Sequence, residues 1–278
     1  MKIIVVDRDR LASQMINSRL TAQGHQILEE AVKNDALELI AKEDFDAVLI
    51  DPAPLTNPRP VVLGIRRSVN DYPYIVLMSQ EATQEEAIRA GTNDVLKKPI
   101  DSEMLDSKIV NAKRLVELVR RIGDESEDFP SAGGVIAKSA FNQLFLSAID
   151  RADRYGEKTF LVFISVCNYY EILEQSGPYA ADFAVAKMSQ NLVRLRRQSD
   201  IIGQTGKNEY ALLLQRPQFE TEPMEAANRF AEALTKADDI VSTGIIQPQI
   251  AIELISLPVG DRLIQHIISE ETRTASQN

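Results

Sequence analysis

The stretch that decides the fold reads Arg197-Gln-Ser-Asp200-Ile-Ile-Gly-Gln-Thr-Gly206-Lys207-Asn208-Glu209-Tyr210 and continues into Ala-Leu-Leu-Leu214. Two apolar runs separated by a short polar turn that contains glycine predict a β-hairpin over 200–214. The residues before the hairpin have helical spacing, and their last turn is rich in arginine, which suits the negative end of a helix dipole. The stretch therefore predicts a helix, a strand, a tight turn and a second strand in immediate succession.

The residues around this hairpin complete an α/β unit. We expect a helix within 135–155, a buried strand from Thr159 to Ile164, a helix over 179–197, the hairpin, a helix over 222–236, a strand over 248–256 and a short last helix. This order predicts a mixed sheet covered by helices.

The first half of the chain alternates short apolar runs with helical patterns. The runs are Ile3–Val6, Ala47–Ile50, Tyr74–Met78 and Asp94–Leu96, and the helical patterns cover 10–23, 33–43, 82–90 and 101–122. Such alternation predicts a parallel sheet with helices on both faces. Ligands of these sheets bind at the carboxyl ends of the strands.

A short segment rich in acidic residues, proline and glycine separates the two halves and has the composition of a solvated linker. We therefore expect a doubly wound (βα)5 domain over 1–123, a linker over 124–133 and a second α/β domain over 134–278.

Composition restricts the classes of function. The net charge of -10 argues against general binding to nucleic acid, which needs a basic face. A single cysteine, Cys167, excludes a disulfide framework, and His25 and His266 lie too far apart in sequence to favour a histidine-based zinc site. No apolar run reaches the length of a membrane span. We expect a cytoplasmic protein.

Four predicted strands in the first half end at polar or charged residues that could form one site. They are Asp7, Asp51, Ser79 and Lys98, which Pro99 follows. Over 1–123 the chain resembles the flavodoxin-like receiver domain of two-component response regulators. The resemblance implies that Asp51 accepts a phosphoryl group from a histidine kinase, with Ser79 as the switch hydroxyl and Lys98 pairing with the phosphate. It also implies Mg²⁺ at Asp7 and Asp51, and a cis Lys98–Pro99 bond.

The receiver pattern is altered in three places. Arg8 stands where the family has a second acidic metal ligand, and the acid Asp9 is displaced by one residue. Pro52-Ala-Pro54-Leu55 follows Asp51 where the family's pattern ends in Met-Pro, and Val95 replaces an aromatic residue that signals outward. An arginine at position 8 could pair with Asp51 and balance its charge without metal or phosphate. Two interpretations stay open: a phosphorylated receiver, and a receiver fold kept for dimerisation alone.

The second half resembles the GGDEF domain of diguanylate cyclases, which join two GTP molecules into cyclic di-GMP. Gly206-Lys207-Asn208-Glu209-Tyr210 stands where the family has Gly-Gly-Asp/Glu-Glu-Phe. The resemblance places the two metal-binding acids of the family at Ser165 and Asn208, and neither residue carries a charge. Lys207 replaces a glycine that lets the backbone approach phosphate. We therefore expect no cyclase activity.

Only one of the two residues that contact guanine in the cyclase substrate site is retained. Leu173 replaces the family's asparagine, whereas Asp182 matches its aspartate.

The inhibitory site, at which the family binds its own product, is retained as Arg197-x-x-Asp200. Arginine can make a bidentate contact with guanine or phosphate, and aspartate can accept hydrogen bonds from guanine. The resemblance places a further basic residue near Arg229. The alternative is that Arg197 only ends a helix and Asp200 only starts a strand.

These patterns predict a non-catalytic signalling protein that binds cyclic di-GMP and acts through a protein partner. An inert dimerisation or interaction scaffold is the alternative, and a residual cyclase is the remote one. Helix 101–122 carries an apolar seam at Leu105, Ile109, Ala112, Val116 and Val119, which packs on its own sheet or joins two copies in a homodimer.

Overall fold

The computed structural model describes residues 1–69, 72–124, 126–237, 239–258 and 260–269. These residues form two compact units. The first unit contains Met1–Arg120 together with Ile149–Glu157 and Pro258–Gly260, and the second contains the other described residues. Within the described ranges, no helix is both long and apolar enough to cross a membrane.

The first unit is built on a parallel five-stranded sheet with the order β2-β1-β3-β4-β5. Its elements are β1 (Lys2–Val6), α1 (Arg10–Ala22), β2 (Gln26–Glu30), α2 (Lys33–Lys42), β3 (Ala47–Ile50), α3 (Arg59–Ser68), β4 (Tyr74–Ser79), α4 (Gln84–Ala90), β5 (Asp94–Lys97) and α5 (Ser102–Gly123). The doubly wound (βα)5 prediction is confirmed. The Lys98–Pro99 bond is cis, as predicted, and so is Ala53–Pro54.

Helix α5 begins in the first unit and ends in the second. Four residues of its predicted seam, Leu105, Ile109, Ala112 and Val116, are buried within the protein. This seam is therefore a core face, as the first of the two interpretations held.

The second unit is built on a five-stranded sheet with the order β10-β9-β6-β8-β7. Its elements are α6 (Lys138–Tyr155, which groups with the first unit from Ile149), β6 (Thr159–Val166), α7 (Tyr169–Ser176), α8 (Pro178–Leu195), β7 (Ile201–Gly206), β8 (Glu209–Gln215), α9 (Glu222–Thr235), β9 (Ile250–Leu257) and β10 (Asp261–Ile268). The predicted hairpin is confirmed as β7 and β8.

Two expectations for the second unit are wrong. The sheet is antiparallel in all four of its strand pairs and not mixed, and a parallel contact occurs only as an isolated bridge between Ile136 and Gly203 among the residues described. The expected last helix is the strand β10. Its apolar residues, Leu263, Ile264, Ile267 and Ile268, include spacings of three and four, which are typical of a helix, so pairing with β9 rather than the local pattern decides the conformation.

Glycine at position 203 sets the distance between α6 and β7. A Cβ atom at Gly203 would lie 2.4 Å from Cγ of Phe141, whose ring is fully buried. Phe141 therefore packs directly on the backbone of β7. This contact fixes the strand that begins immediately after Asp200.

Candidate functional site

The first candidate site lies at the carboxyl ends of the strands of the first unit. Lys98 Nζ is 2.7 Å from Asp7 Oδ2 and also contacts Asp51 Oδ2. The three side chains are largely buried, with exposed fractions of 10%, 2% and 15% for Lys98, Asp7 and Asp51. The structure thus brings together three of the four residues predicted for the receiver site as one ion-paired group.

The pKa of Lys98 lies above its ordinary value. Burial by itself lowers this pKa, but the carboxylates of Asp51 and Asp7 raise it by more. Lys98 therefore stays protonated and compensates one of the two negative charges of the pair.

Arg8 does not take the role that the sequence suggested for it. Asp51 pairs with Lys98, whereas the side chain of Arg8 is exposed at the edge of the cleft that contains both. The displaced acid, Asp9, caps helix α1 by accepting hydrogen bonds from the backbone N–H groups of Leu11 (3.0 Å) and Ala12 (3.2 Å).

Ser79 lies on the same cleft, and its Oγ accepts hydrogen bonds from the backbone N–H groups of Glu81 (3.2 Å) and Ala82 (3.1 Å). Its hydroxyl is thereby held at the end of β4. All four residues of the predicted receiver site line one cleft.

Divalent cations prefer several oxygen ligands. Asp7 and Asp51 are the residues that would hold Mg²⁺ here, but each already contacts the Lys98 amine, and the three groups together keep one net negative charge. No cluster of three or more acidic, histidine or cysteine side chains suited to a metal was found among the residues that the structure describes. As it stands, this pair fits a divalent cation poorly.

In the second unit, the two positions that correspond to the cyclase metal ligands are adjacent. Ser165 pairs with Glu209 across β6 and β8, and Asn208 precedes Glu209 in the turn. The Asn208 side-chain amide donates to the carbonyl of Val166 at 2.8 Å, and the Asn208 carbonyl accepts from the Val166 N–H at 2.9 Å. A hydroxyl and an amide that is already hydrogen-bonded do not fit two Mg²⁺ ions and a triphosphate.

The retained acid of the signature, Glu209, is engaged by an arginine. Arg121 donates to Glu209 through Nη2 (2.5 Å) and Nε (3.2 Å), and it donates to Glu253 Oε2 at 3.2 Å. Its guanidinium lies 3.8 Å from the centre of the Phe163 ring. Thr205 Oγ1 donates to Glu209 Oε1 at 2.7 Å. Both carboxylate oxygens of Glu209 thus accept hydrogen bonds from residues of the same unit.

The residues that correspond to the guanine-reading side of the cyclase site are also engaged internally. Asp182 Oδ1 accepts a hydrogen bond of 2.9 Å from the hydroxyl of Tyr169, whose pKa is raised to about 12 by burial and by that bond. Leu173 packs against the core, and Lys207 lies 2.9 Å from Glu127. One oxygen of Asp182 and the Lys207 amine are thus engaged by residues of the same unit.

The second candidate site is a small pocket between the start of β7 and helix α9. Arg197, Asp200 and Arg229, the three residues predicted to bind cyclic di-GMP, all line it. Glu222, Pro223 and Leu214 complete much of its wall. The structure therefore brings together residues that are up to 32 positions apart in sequence.

Asp200 has a structural contact inside this pocket. Its Oδ2 accepts a hydrogen bond of 2.9 Å from the backbone N–H of Arg197, and the Asp200 N–H donates to the Arg197 carbonyl at 3.0 Å. The alternative drawn from the sequence, that Asp200 shapes the chain at this point, is thus part of its role. These bonds also fix the carboxylate at the pocket wall.

The two arginines of the pocket differ in their partners. Arg197 Nη1 donates to Glu222 Oε1 at 2.5 Å. Arg229 Nη2 is 4.0 Å from Asp200 Oδ2, too far for a hydrogen bond, and both Nε and Nη2 of Arg229 are buried with no hydrogen-bond partner among the residues described. Buried donors of this kind are rare in folded proteins and suit an added acceptor.

Three of these residues were missed by sequence reasoning. Arg121 and Glu222 contact partners that are distant in sequence, and only the acidic start of α9 gives a signal, since acids favour a helix N-terminus. The hydroxyl of Tyr169 gives none. No periodicity predicts the pairing of Arg121 with Glu209.

The chain was compared with known proteins. The family model described as "Diguanylate cyclase, GGDEF domain" matches residues 131–270, which is just over half of the chain. The response regulator MprA of Mycobacterium sp. strain KMS is 31% identical over 134 residues, which is 47% of this chain and 56% of that protein. MprA of Mycolicibacterium vanbaalenii is 28% identical over 160 residues, which is 56% of this chain and 64% of that protein. The chain therefore spans less than two thirds of the length of these response regulators.

Solved structures resemble each of the two parts. A two-component response regulator from Clostridium difficile is 23% identical, with a TM-score of 0.37, and the match covers 41% of this chain and 96% of that one. The GGDEF domain of TpbB (YfiN) from Pseudomonas aeruginosa is 19% identical, with a TM-score of 0.36, over 43% of this chain and 70% of that one. The response-regulator similarity covers the N-terminal part, ahead of the matched family region. The chain belongs to the GGDEF family, and a domain with the receiver fold precedes its GGDEF domain.

Proposed function

We propose that this protein is a non-catalytic signalling protein whose GGDEF domain binds cyclic di-GMP in the pocket formed by Arg197, Asp200 and Arg229. The observation that carries the proposal is that all three residues line one pocket. The first unit would act as the regulatory input, with Asp51 as the acceptor of a phosphoryl group from a histidine kinase, and a protein partner would receive the output.

The chemistry of the pocket matches the ligand. A guanine base offers two acceptors on one edge, which an arginine can contact with two parallel N–H donors, and offers N–H donors on another edge, which a carboxylate can accept. The phosphates of the ligand supply further acceptors. The buried N–H groups of Arg229 that lack a partner, Nε and Nη2, are suited to such an acceptor.

Binding requires one internal contact to change. Glu222 now holds Arg197 in an ion pair in which the arginine side chain is about half exposed and the glutamate about a quarter. Exposed pairs contribute only about 0–1 kcal/mol, so a ligand with two guanines can replace this one at small cost. The Asp200 contact with the Arg197 N–H can persist, because it uses backbone atoms of the arginine.

The same domain is proposed to lack cyclase activity. Ser165 and Asn208 provide no charge for metal, and Glu209 is held by Arg121. A pocket for the product without a site for the reaction is the arrangement expected of a receptor.

Isothermal titration calorimetry with cyclic di-GMP tests the proposal. We expect saturable binding to the wild type, and a loss of affinity of about tenfold to one hundredfold for Arg197→Ala and Arg229→Ala, because a good bidentate guanine contact is worth about 1–3 kcal/mol. Arg194→Ala is the matched control, since Arg194 is exposed one turn earlier and is not among the residues that line the pocket. We expect it to bind like the wild type.

Asp200→Asn separates the two roles of Asp200. Asparagine keeps an oxygen that can accept the Arg197 N–H, but it loses the carboxylate that accepts from guanine. We expect a folded variant with weakened binding. If the wild type takes up no ligand at tens of micromolar, the proposal fails.

An inert scaffold is the second candidate, and one observation favours it. Lys98 already forms ion pairs with both Asp7 and Asp51, the residues that a cation or a phosphoryl group would need. In that case neither phosphorylation nor cyclic di-GMP would alter the protein, and only its interactions would matter.

A further inference from the structure

Strand β10 lies at one edge of the sheet of the second unit. It pairs with β9 on one side, and within the described residues, which end at 269, no strand pairs with its other side. The opposite edge, β7, is contacted at Gly203 by the bridge from Ile136. Among the residues described, the outer side of the segment 263–268 is therefore the part of this edge that has no strand partner.

The composition of this edge is unusual for an exposed strand. The six residues Leu263-Ile-Gln-His-Ile-Ile268 include no proline and no acidic, lysine or arginine side chain. The side chains of Leu263 and Ile267 are 45% and 55% exposed. Proteins usually protect open edges with charges or proline, because unpaired backbone groups recruit other strands. A β-bulge between Arg262 and Ile264 could protect only the start of β10 from pairing, because the register with β9 is regular beyond it.

The segment is also self-complementary. Around a two-fold axis at Gln265, antiparallel pairing of β10 with itself sets Leu263 of each copy opposite Ile267 of the other. Directly opposed apolar side chains stabilise antiparallel strands. The nearest cation, Arg262, forms an ion pair of 3.2 Å with Glu253 in its own chain, so its charge does not oppose this pairing.

We infer that β10 pairs with β10 of a second copy, so that the two five-stranded sheets join into one sheet of ten strands. Such an interface is isologous, the commonest symmetry of homodimers. The seam of α5 is buried, so a homodimer needs another surface, and this edge provides it. The inference does not depend on the binding of cyclic di-GMP.

The rival occupant is the C-terminal sequence of the same chain, Glu270-Glu-Thr-Arg-Thr-Ala-Ser-Gln-Asn278. It begins with two acids and has alanine as its only apolar residue. Such a sequence is a poor partner for an apolar edge strand.

Sedimentation equilibrium of the full chain tests the inference. We expect a dimer for the wild type, and Ile267→Lys should dissociate it, because two charges would enter the paired edge. Ile245→Lys is the matched control: Ile245 is 95% exposed in the same unit and lies outside β10, so its variant should remain a dimer. Circular dichroism should be unchanged in both, since each replaced side chain is exposed.

Further variants test the register of the pairing and the alternative that the C-terminal segment occupies the edge. In a Cys167→Ser background, Gln265→Cys should form an intermolecular disulfide on mild oxidation, and Arg262→Cys should not. A chain shortened after Ser269 should still dimerise. The inference is wrong if the wild type is a monomer at high concentration, if Ile267→Lys stays dimeric, or if only the shortened chain dimerises, which would assign the edge to the C-terminal segment.

Discussion

Arg121 holds Glu209, the surviving acid of the GGDEF signature, through two hydrogen bonds of 2.5 and 3.2 Å. The guanidinium also contacts Glu253 and stacks on Phe163, so one cation is shared by two largely buried acids. Burial lowers the pKa of Arg121, but the two glutamates raise it above its ordinary value. The glutamate of the signature is here part of an internal ion pair.

Loss of this arginine should destabilise the second unit. Arg121→Met leaves the largely buried carboxylate of Glu209 without its cation, whereas Glu253 keeps its ion pair with Arg262. We expect a loss of about 1–3 kcal/mol in the free energy of unfolding, measured by urea denaturation. The neighbouring Arg120→Met is the control, because Arg120 is well exposed and exposed pairs contribute little. Adding Glu209→Gln to Arg121→Met should restore part of the loss. Equal stability of the two single variants would contradict the assigned role.

The domain should make no cyclic di-GMP. With GTP and Mg²⁺ or Mn²⁺, nucleotide chromatography should detect no product, because Ser165 and Asn208 cannot supply the carboxylates that hold two cations. An active diguanylate cyclase in parallel establishes that the assay works. Repeated turnover by this chain would overturn its assignment as non-catalytic.

Cation binding and phosphorylation at the first unit should be weak and should improve on one substitution. Arg8→Asp adds a carboxylate to the cleft that contains Asp7 and Asp51, so Mg²⁺ affinity and labelling by acetyl phosphate should both rise. Arg10→Asp makes the same charge change just outside the cleft and should have little effect. Efficient labelling of the wild type, abolished by Asp51→Asn, would show that Arg8 is no obstacle.

The stability of the first unit should depend on pH through Asp153. Burial raises the pKa of Asp153 to about 6, although the hydrogen bond from Tyr72 and the charge of Arg66 act in the opposite direction. An acid with a higher pKa in the folded state binds more protons there, so stability falls as pH rises from about 4 to about 6.

Asp153→Asn should remove this pH dependence and raise stability at pH 7 by about 1–3 kcal/mol, since asparagine keeps an acceptor for Tyr72 without the buried charge. Urea denaturation at several pH values measures the effect. Asp150→Asn, one turn earlier and more exposed, is the control. A variant with an unchanged pH profile would refute the assignment.

A methyl group at Gly203 should separate α6 from β7. The Cβ of Gly203→Ala would lie 2.4 Å from Phe141 Cγ, so we expect a destabilisation of about 1–3 kcal/mol. Gly206→Ala in the same strand is the control, because its Cβ would make an ordinary contact of 3.5 Å with Glu209. Thermal unfolding of both variants measures the difference.

Much of the fold could be predicted where local pattern and packing agree. Strands such as β3 and β4 are continuous apolar runs, and the hairpin carries its own turn signal. Strand β2 was missed because it is an edge strand with the sequence Gln-Ile-Leu-Glu-Glu, in which few residues favour a strand. Helices α3 and α7 were missing from the elements predicted, and β10 was predicted to be a helix.

The pocket was predictable in its residues but not in its contacts. The spacing of Arg197 and Asp200 lies within one stretch of chain, and the fold adds Arg229 from α9. Glu222 lies 25 positions from its partner Arg197, and Arg121 lies 88 positions from its partner Glu209. Pairings over such distances follow from tertiary structure, which no local periodicity encodes.

If the domain is non-catalytic, as proposed, the hydrogen bond from the Asn208 amide to the Val166 carbonyl bears on how readily catalysis could be regained. An aspartate at position 208 would lose that donor and bring a carboxylate toward a carbonyl oxygen, while Ser165, Lys207 and Leu173 would each still differ from the family pattern. The proposed function thus implies that turnover would return only through several substitutions, of which the first would weaken the turn. Selection on such a domain would act on binding and assembly.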